Sequence, residues 1–141
     1  MRKYLTKENI ITFLVSFMLS VLITFLLTST AYGQARLNYS KAEIEREWID
    51  LGKQDQSIED RWISYNFPLA EVMYLFNKEN VCHTTLILPK NGDGLQFFIN
   101  KYNKDLTLVS EFRWVLIENG INMYVELLFL EDGTYYFRWY E

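Results

Sequence analysis

The 141-residue chain has one cysteine, one histidine, two prolines and six glycines, and each scarcity removes something. With Cys82 alone there is no intrachain disulfide framework, so packing must hold the fold together. With His83 alone, most metal sites are excluded. No phosphate-cradling glycine loop, CxxC or HExxH occurs. The carboxylates fall mostly in turns or on helix faces, and none pairs by spacing on a clearly apolar strand, which leaves glycosidase-type acid and base roles unsupported. Positive charge is short as well: setting aside Arg2, Lys3, Lys7 and Glu8 leaves 11 basic and 17 acidic residues, a formal charge of −6. Binding a phosphate backbone needs clustered Lys and Arg, so nucleic acid is not an expected partner. The expectation is a protein that is not an enzyme and carries neither metal nor cofactor.

What is present begins with Ile10–Leu27, IITFLVSFMLSVLITFLL, which contains no charge, Pro or Gly. A run of about 18 residues reaches the lower limit for crossing a hydrocarbon core, whereas signal-peptide apolar regions usually stop at about 7 to 15. Residues 10–30 therefore read as a transmembrane helix, with a signal peptide as the alternative. Residues 1–9 carry Arg2, Lys3 and Lys7 and form a short cytoplasmic tail by the positive-inside tendency. Everything downstream is then exported, which for a bacterial inner-membrane protein means the periplasm. Ala31-Tyr32-Gly33 supports the cleaved, secreted alternative, since it places small residues where a signal peptidase inspects, with Gln34 as the new terminus; Gly33-Gln34-Ala35 serves nearly as well. No Cys near the end of the apolar run is available for a lipid anchor.

Residues 31–39 are polar or small and read as a tether, and 40–141 is long enough for one core but not two. Ser40 followed by Glu43 is a capping box that predicts a helix, with Ile44, Trp48 and Leu51 on one face and Gly52 closing it. A strand is expected from about Arg61 to Phe67. Pro68 then suits the first turn of a second helix over Leu69 to about Lys78, with Leu69, Val72, Met73 and Phe76 at i, i+3, i+4 and i+7. From Val81 the period becomes two, predicting strands at Val81–Leu88, Leu95–Asn100, Leu106–Glu118, Ile121–Glu131 and Thr134–Tyr140. The breaks are Asn91-Gly92-Asp93-Gly94, Asn103-Lys104-Asp105, Asn119-Gly120 and Asp132-Gly133, the last two being hairpin signals. The fold class is thus α+β: an N-terminal transmembrane helix, then two short helices and an antiparallel meander of five or six strands, with the option of curling toward a barrel.

Cys82 and His83 are neighbours, but on a strand adjacent side chains leave opposite faces, which argues against a nucleophile–base dyad. Cys82 reads as a small buried hydrophobe. His83 has the chemistry of a pH sensor, because an ordinary imidazole changes charge between about pH 5 and 8; the plainer reading is an uninvolved surface histidine. The last strands are aromatic on both faces, with Tyr135, Phe137 and Trp139 one way and Tyr136 and Tyr140 the other. Together with Trp114 and Phe112 they form the candidate partner or ligand surface, unless aromatics simply fill a curled interior.

In layout the chain resembles the short partner subunits of bacterial membrane-bound transcription regulators, the ToxS-like and PsaF-like proteins. Those join a short basic tail and one anchor to a small β-rich periplasmic domain. The resemblance implies a heterodimer with another single-pass membrane protein, whose exported domain this one stabilises or tunes toward an environmental cue. It carries over no individual residue. Two further readings stand beside it: a domain binding a small apolar molecule such as a bile salt or lipid, and a secreted inhibitor or immunity-type protein after cleavage. Intact-mass spectrometry of the mature chain is expected to find residues 1–33 retained, and a chain beginning at Gln34 would remove the anchor.

Overall fold

The computed structural model describes residues 35–50, 55–56 and 61–141, with Ser16 isolated ahead of them. The chain divides into two units, of which Ala35–Glu141 is the one described. It is built on one eight-stranded antiparallel sheet with two helices. The strands are β1 (Asp55–Gln56), β2 (Trp62–Asn66), β3 (Ala70–Phe76), β4 (Cys82–Pro89), β5 (Thr107–Ser110), β6 (Arg113–Glu118), β7 (Ile121–Phe129) and β8 (Tyr135–Tyr140), and the helices are α1 (Lys41–Glu47) and α2 (Gly92–Asp105). The order across the sheet is β1-β2-β3-β4-β8-β7-β6-β5. Two four-stranded meanders therefore lie side by side, joined where β4 pairs with β8 through Thr85↔Trp139 and Ile87↔Phe137.

Local chemistry explains many of the boundaries. The Ser40–Glu43 capping box forms: the Glu43 amide donates to Ser40 Oγ at 3.3 Å, and the Ser40 amide donates to Glu43 Oε2 at 2.8 Å. The helix it starts ends at Glu47 with Trp48 as its cap; Leu51 and Gly52 lie outside the described residues. Asn119 (φ 51°) and Gly120 (φ 78°) are both left-handed, as a two-residue primed turn between β6 and β7 requires. Between β7 and β8, Gly133 (φ 85°) donates its amide to the Leu130 carbonyl at 3.0 Å. The last residues of the expected tether belong to this packed unit, with Ala35 and Leu37 buried in its core.

Two expected elements exchange identity. The helix expected over Leu69 to Lys78 is strand β3. Its Ala70, Val72, Tyr74 and Phe76 are buried and alternate with half-buried Glu71, Met73 and Leu75, a period of two that the helical spacing of Leu69, Val72, Met73 and Phe76 concealed. The strand expected at Leu95–Asn100 is the middle of α2. Asn91 caps it, its side chain accepting the Gly94 amide at 3.0 Å, and Leu95, Phe98, Ile99 and Tyr102 turn toward the core at helical spacing. Geometry favours the helix: 14 residues span about 21 Å, and the crossing from β4 to the far edge at β5 passes four inter-strand spacings, about 19 Å.

The other corrections concern extent. The single strand expected over Leu106–Glu118 is two, β5 and β6, broken where Phe112 adopts φ 59°. The option of a barrel is not realised: among the described residues β1 pairs only with β2 and β5 only with β6, so the sheet is open. The expected transmembrane helix lies almost wholly outside the described residues, and among those described no helix is long and apolar enough to cross a membrane. In place of a meander of five or six strands stands one eight-stranded antiparallel sheet with two helices.

Both helices lie on the same face. Phe98 and Tyr102 of α2 pack on Trp114, Phe137 and Trp139, with ring centroids 5.2 to 6.3 Å apart in this cluster. Ile44 of α1 is fully buried, and Trp48 meets Phe67 edge-on at 4.9 Å. The start of α2 sits so close to the β2–β3 turn that a Cβ on Gly94 would lie 2.6 Å from the Leu69 carbonyl oxygen, whereas one on Gly92 would meet nothing within 4 Å. Gly94→Ala is therefore expected to destabilise the fold by about 1–3 kcal/mol. Gly92→Ala should be neutral or stabilising by up to about 1 kcal/mol through helix propensity. Thermal unfolding of the two variants checks the opposition of sign.

Candidate functional site

The register sorts the candidate aromatic residues onto two faces. Phe137, Trp139 and Trp114 are 0%, 3% and 2% exposed and lie beneath α2, so a partner cannot touch them. Trp139 Nε1 donates to the Tyr102 hydroxyl at 3.1 Å and Trp114 Nε1 to Asn103 Oδ1 at 2.8 Å, which satisfies two indole donors inside the core. Tyr135, half-buried, packs against the same core. Tyr136 and Tyr140 lie on the opposite face, both half-buried. Phe112 is exposed at the β5–β6 turn, edge-on to exposed Phe129 at 5.6 Å.

Among the described residues, no element packs on that opposite face. Its β2–β4 half is mainly apolar, with Trp62, Met73, Leu75, Leu86 and Leu88 half-buried and made neighbours by the registers Trp62↔Leu75 and Met73↔Leu86, while Ser64, Asn66, Glu71 and Thr84 lie among them. Its β6–β8 half is a charged and aromatic row. Arg113↔Glu126 and Glu126↔Arg138 are direct cross-strand pairs. Glu126 forms an ion pair with Arg138 and accepts from the Tyr140 hydroxyl at 3.4 Å. The Arg113 guanidinium lies over Tyr124 at 4.6 Å and Tyr140 at 5.8 Å. No carboxylate among the described residues pairs with Arg113, and its Nε is buried without a hydrogen-bond partner. The row carries two guanidinium groups against one carboxylate, an arrangement able to accept a further carboxylate from outside.

Sequence reasoning missed this face for an identifiable reason. Assigning Leu69–Lys78 to a helix removed Met73 and Leu75 from any sheet. Half of the charged row was nevertheless present in the hairpin signals: counting back from Asn119-Gly120 pairs Arg113 with Glu126, whereas a two-residue turn at Asp132-Gly133 would set Arg138 opposite Leu127, and only the longer loop between Leu130 and Thr134 brings it opposite Glu126.

His83 sits where the β3–β4 register shifts, exposed, with Nδ1 2.9 Å from Thr84 Oγ1. It lines a cleft of about 330 Å³ with Leu37, Asn38, Thr84, Tyr140 and Glu141, in which the Asn38 amide donates to the Glu141 carboxylate. Cys82 is fully buried, its sulfur 3.6 Å from Thr85 Oγ1, so the pair forms no dyad. Burial pushes the Cys82 thiol up, away from the reactive thiolate. Among the described residues no group of His, Cys, Asp and Glu is placed to hold a metal ion.

The chain matches no protein-family model, and no match emerged among curated proteins or solved structures.

The strongly shifted groups are tyrosines of the covered face, and all are held neutral. Burial pushes Tyr65 up to about 12, and it pushes Tyr74 and Tyr102 further in the same direction. The nearby Trp48 indole offsets part of the rise at Tyr74, yet the Tyr74 hydroxyl and Trp48 Nε1 meet no hydrogen-bond geometry and stay unsatisfied. Each folded value lies above the unfolded value of about 10. The neutral rings thus support folding fully below pH 10, and that contribution is lost as pH rises through the folded values. In an alkaline titration followed by phenolate absorbance, these three tyrosines are expected to ionise only with unfolding; their ionisation in a still-folded domain would contradict the packing.

Proposed function

We propose that this is a non-enzymatic interaction domain, held at a bacterial inner membrane by the apolar run Ile10–Leu27, that docks the exported domain of another membrane protein through the open face of its sheet. The observation that carries this reading is the asymmetry of the two faces. One face is covered by α1 and α2; among the described residues the other presents Met73, Leu75, Leu86 and Leu88 beside a row in which Arg113 Nε has no hydrogen-bond partner. Apolar surface of that kind on a small domain marks an interaction site. The partner surface that fits is apolar over β2–β4 and offers a carboxylate to Arg113. Tyr136 and Tyr140, alternating with Arg138 between the two halves, supply the amphipathic aromatic surface that interfaces favour.

The layout shared with short partner subunits of membrane-bound regulators supports the same reading, in which the domain stabilises or tunes a signalling partner. His83 is then the group through which pH could enter, beside a cleft bounded by Tyr140 of the docking face. The cleft is lined largely by polar groups, so it lends no support to an apolar small-molecule ligand.

A photo-crosslinking residue at Leu86 or Tyr136 of the full chain, in its native membrane, is expected to give a discrete adduct with another protein. The same residue at exposed Ala42 of α1 should give none. Leu86→Asp should reduce the adduct formed from Tyr136 by at least about tenfold while far-ultraviolet circular dichroism stays unchanged. Equal yields from Tyr136 and Ala42, or an adduct indifferent to Leu86→Asp in a folded chain, would sink the reading.

A further inference from the structure

The two edges of the sheet differ. β1 is two residues long and carries Asp55. β5, Thr107-Leu108-Val109-Ser110, has neither charge nor proline, and all four residues are exposed. Edges without such protection invite pairing with another strand. Exposed apolar side chains also gather at this end of the sheet: Leu108, Val109, Phe112, Phe129 and Leu130 are 42% to 57% exposed, and Phe112 and Phe129 are in ring contact.

We propose that two copies of this chain pair antiparallel through β5 about a two-fold axis, making one sheet continuous across both copies. Three features select a second copy as the occupant. With the axis at Val109, each uncharged edge meets its own image, so nothing on the strand repels. Antiparallel pairing then brings exposed Glu111, just beyond one end of β5, to the end where α2 of the other copy leaves exposed Lys104; the acid of each copy meets the base of the other, twice. Apolar cover is the third. Leu108, Val109 and Phe112, 42% to 57% exposed at the edge itself, offer apolar surface that a second copy covers, whereas Phe129 and Leu130 lie on β7 and the loop after it, two strands in. The short strand and the bulge between Leu108 and Ser110 restrict the ladder, so the dimer is weak and concentration-dependent. This surface is separate from the open face, and the inference does not rest on docking there.

Sedimentation of the full chain in mild detergent, from low to high micromolar concentration, is expected to show a monomer–dimer equilibrium. Val109→Lys, which sets like charges together at the axis, should move its midpoint to at least about tenfold higher concentration. Leu108→Lys serves the same purpose should the first variant misfold, and circular dichroism reports the fold of each. Because Cys82 is buried, Val109→Cys adds the one accessible thiol among the described residues; mild oxidation should cross-link it to a covalent dimer, and Gln96→Cys on α2 should not cross-link. A chain monomeric throughout, a dimer that neither lysine variant shifts while folded, or cross-linking no better from Val109→Cys than from Gln96→Cys overturns the proposal. Leu86→Asp is expected to leave this equilibrium unchanged, which separates failure here from failure of the docking reading.

Discussion

The packing of α2 across the sheet is the constraint on which the rest depends. β4 and β8 are neighbours only because the chain leaves β4, crosses to the far edge and returns through β5, β6 and β7. That route needs a connector long enough to pass four strands and apolar enough to stay on them. Phe98 and Tyr102 meet the second requirement, and the hydroxyl of Tyr102 takes the Trp139 indole N–H that burial would otherwise leave unsatisfied. One tyrosine thus closes the aromatic cluster and removes a penalty of roughly 1–3 kcal/mol for a buried donor without a partner.

The same packing decides which side of the sheet is available. With α1 and α2 both on one face, the aromatic residues of β6 and β8 divide by parity: Trp114, Phe137 and Trp139 go inward, while Tyr136 and Tyr140 go outward. A shift of one residue in β8 would reverse that division. The turn ending in left-handed Gly133 and the pairing of β8 with both β7 and β4 hold the register in place. The surface on which the proposed function rests is therefore a consequence of how the core is assembled.

Where the signal was local, the sequence was legible. Ser40 and Glu43 satisfy amides within their own helix end, and Asn119-Gly120 supplies the positive φ angles that a two-residue turn requires, so α1 and the β6–β7 hairpin could be placed from the residues themselves. β3 and α2 could not, because each segment satisfies both periods. Leu69, Val72, Met73 and Phe76 fit a helix as well as Ala70, Val72, Tyr74 and Phe76 fit a strand, while Leu95, Phe97 and Ile99 alternate as a strand would although Leu95, Phe98 and Tyr102 are helical. The decision is non-local: Val72 is buried between Tyr65 and Ile87 on flanking strands, and only the crossing distance distinguishes α2. The open face inherited the ambiguity of β3, which is why Met73 and Leu75 came into view only with the register, while the pairing of Arg113 with Glu126 followed from the Asn119-Gly120 turn.

The physical character of the two proposed contact surfaces bears on how they could work together. Neither is a deep pocket. The face is broad, with half-buried aliphatic groups and one uncompensated guanidinium; the edge is short, with fully exposed groups and a weak ladder. In free solution, surfaces of this kind bind weakly, because translational and rotational freedom lost on association offsets most of the gain. Confinement to a membrane changes that balance, since two partners held in one plane meet at an effective concentration far above their average in the cell. In the proposed arrangement the apolar run Ile10–Leu27 therefore does more than fix the compartment. It brings both surfaces into the concentration range where a small open sheet binds as a subunit.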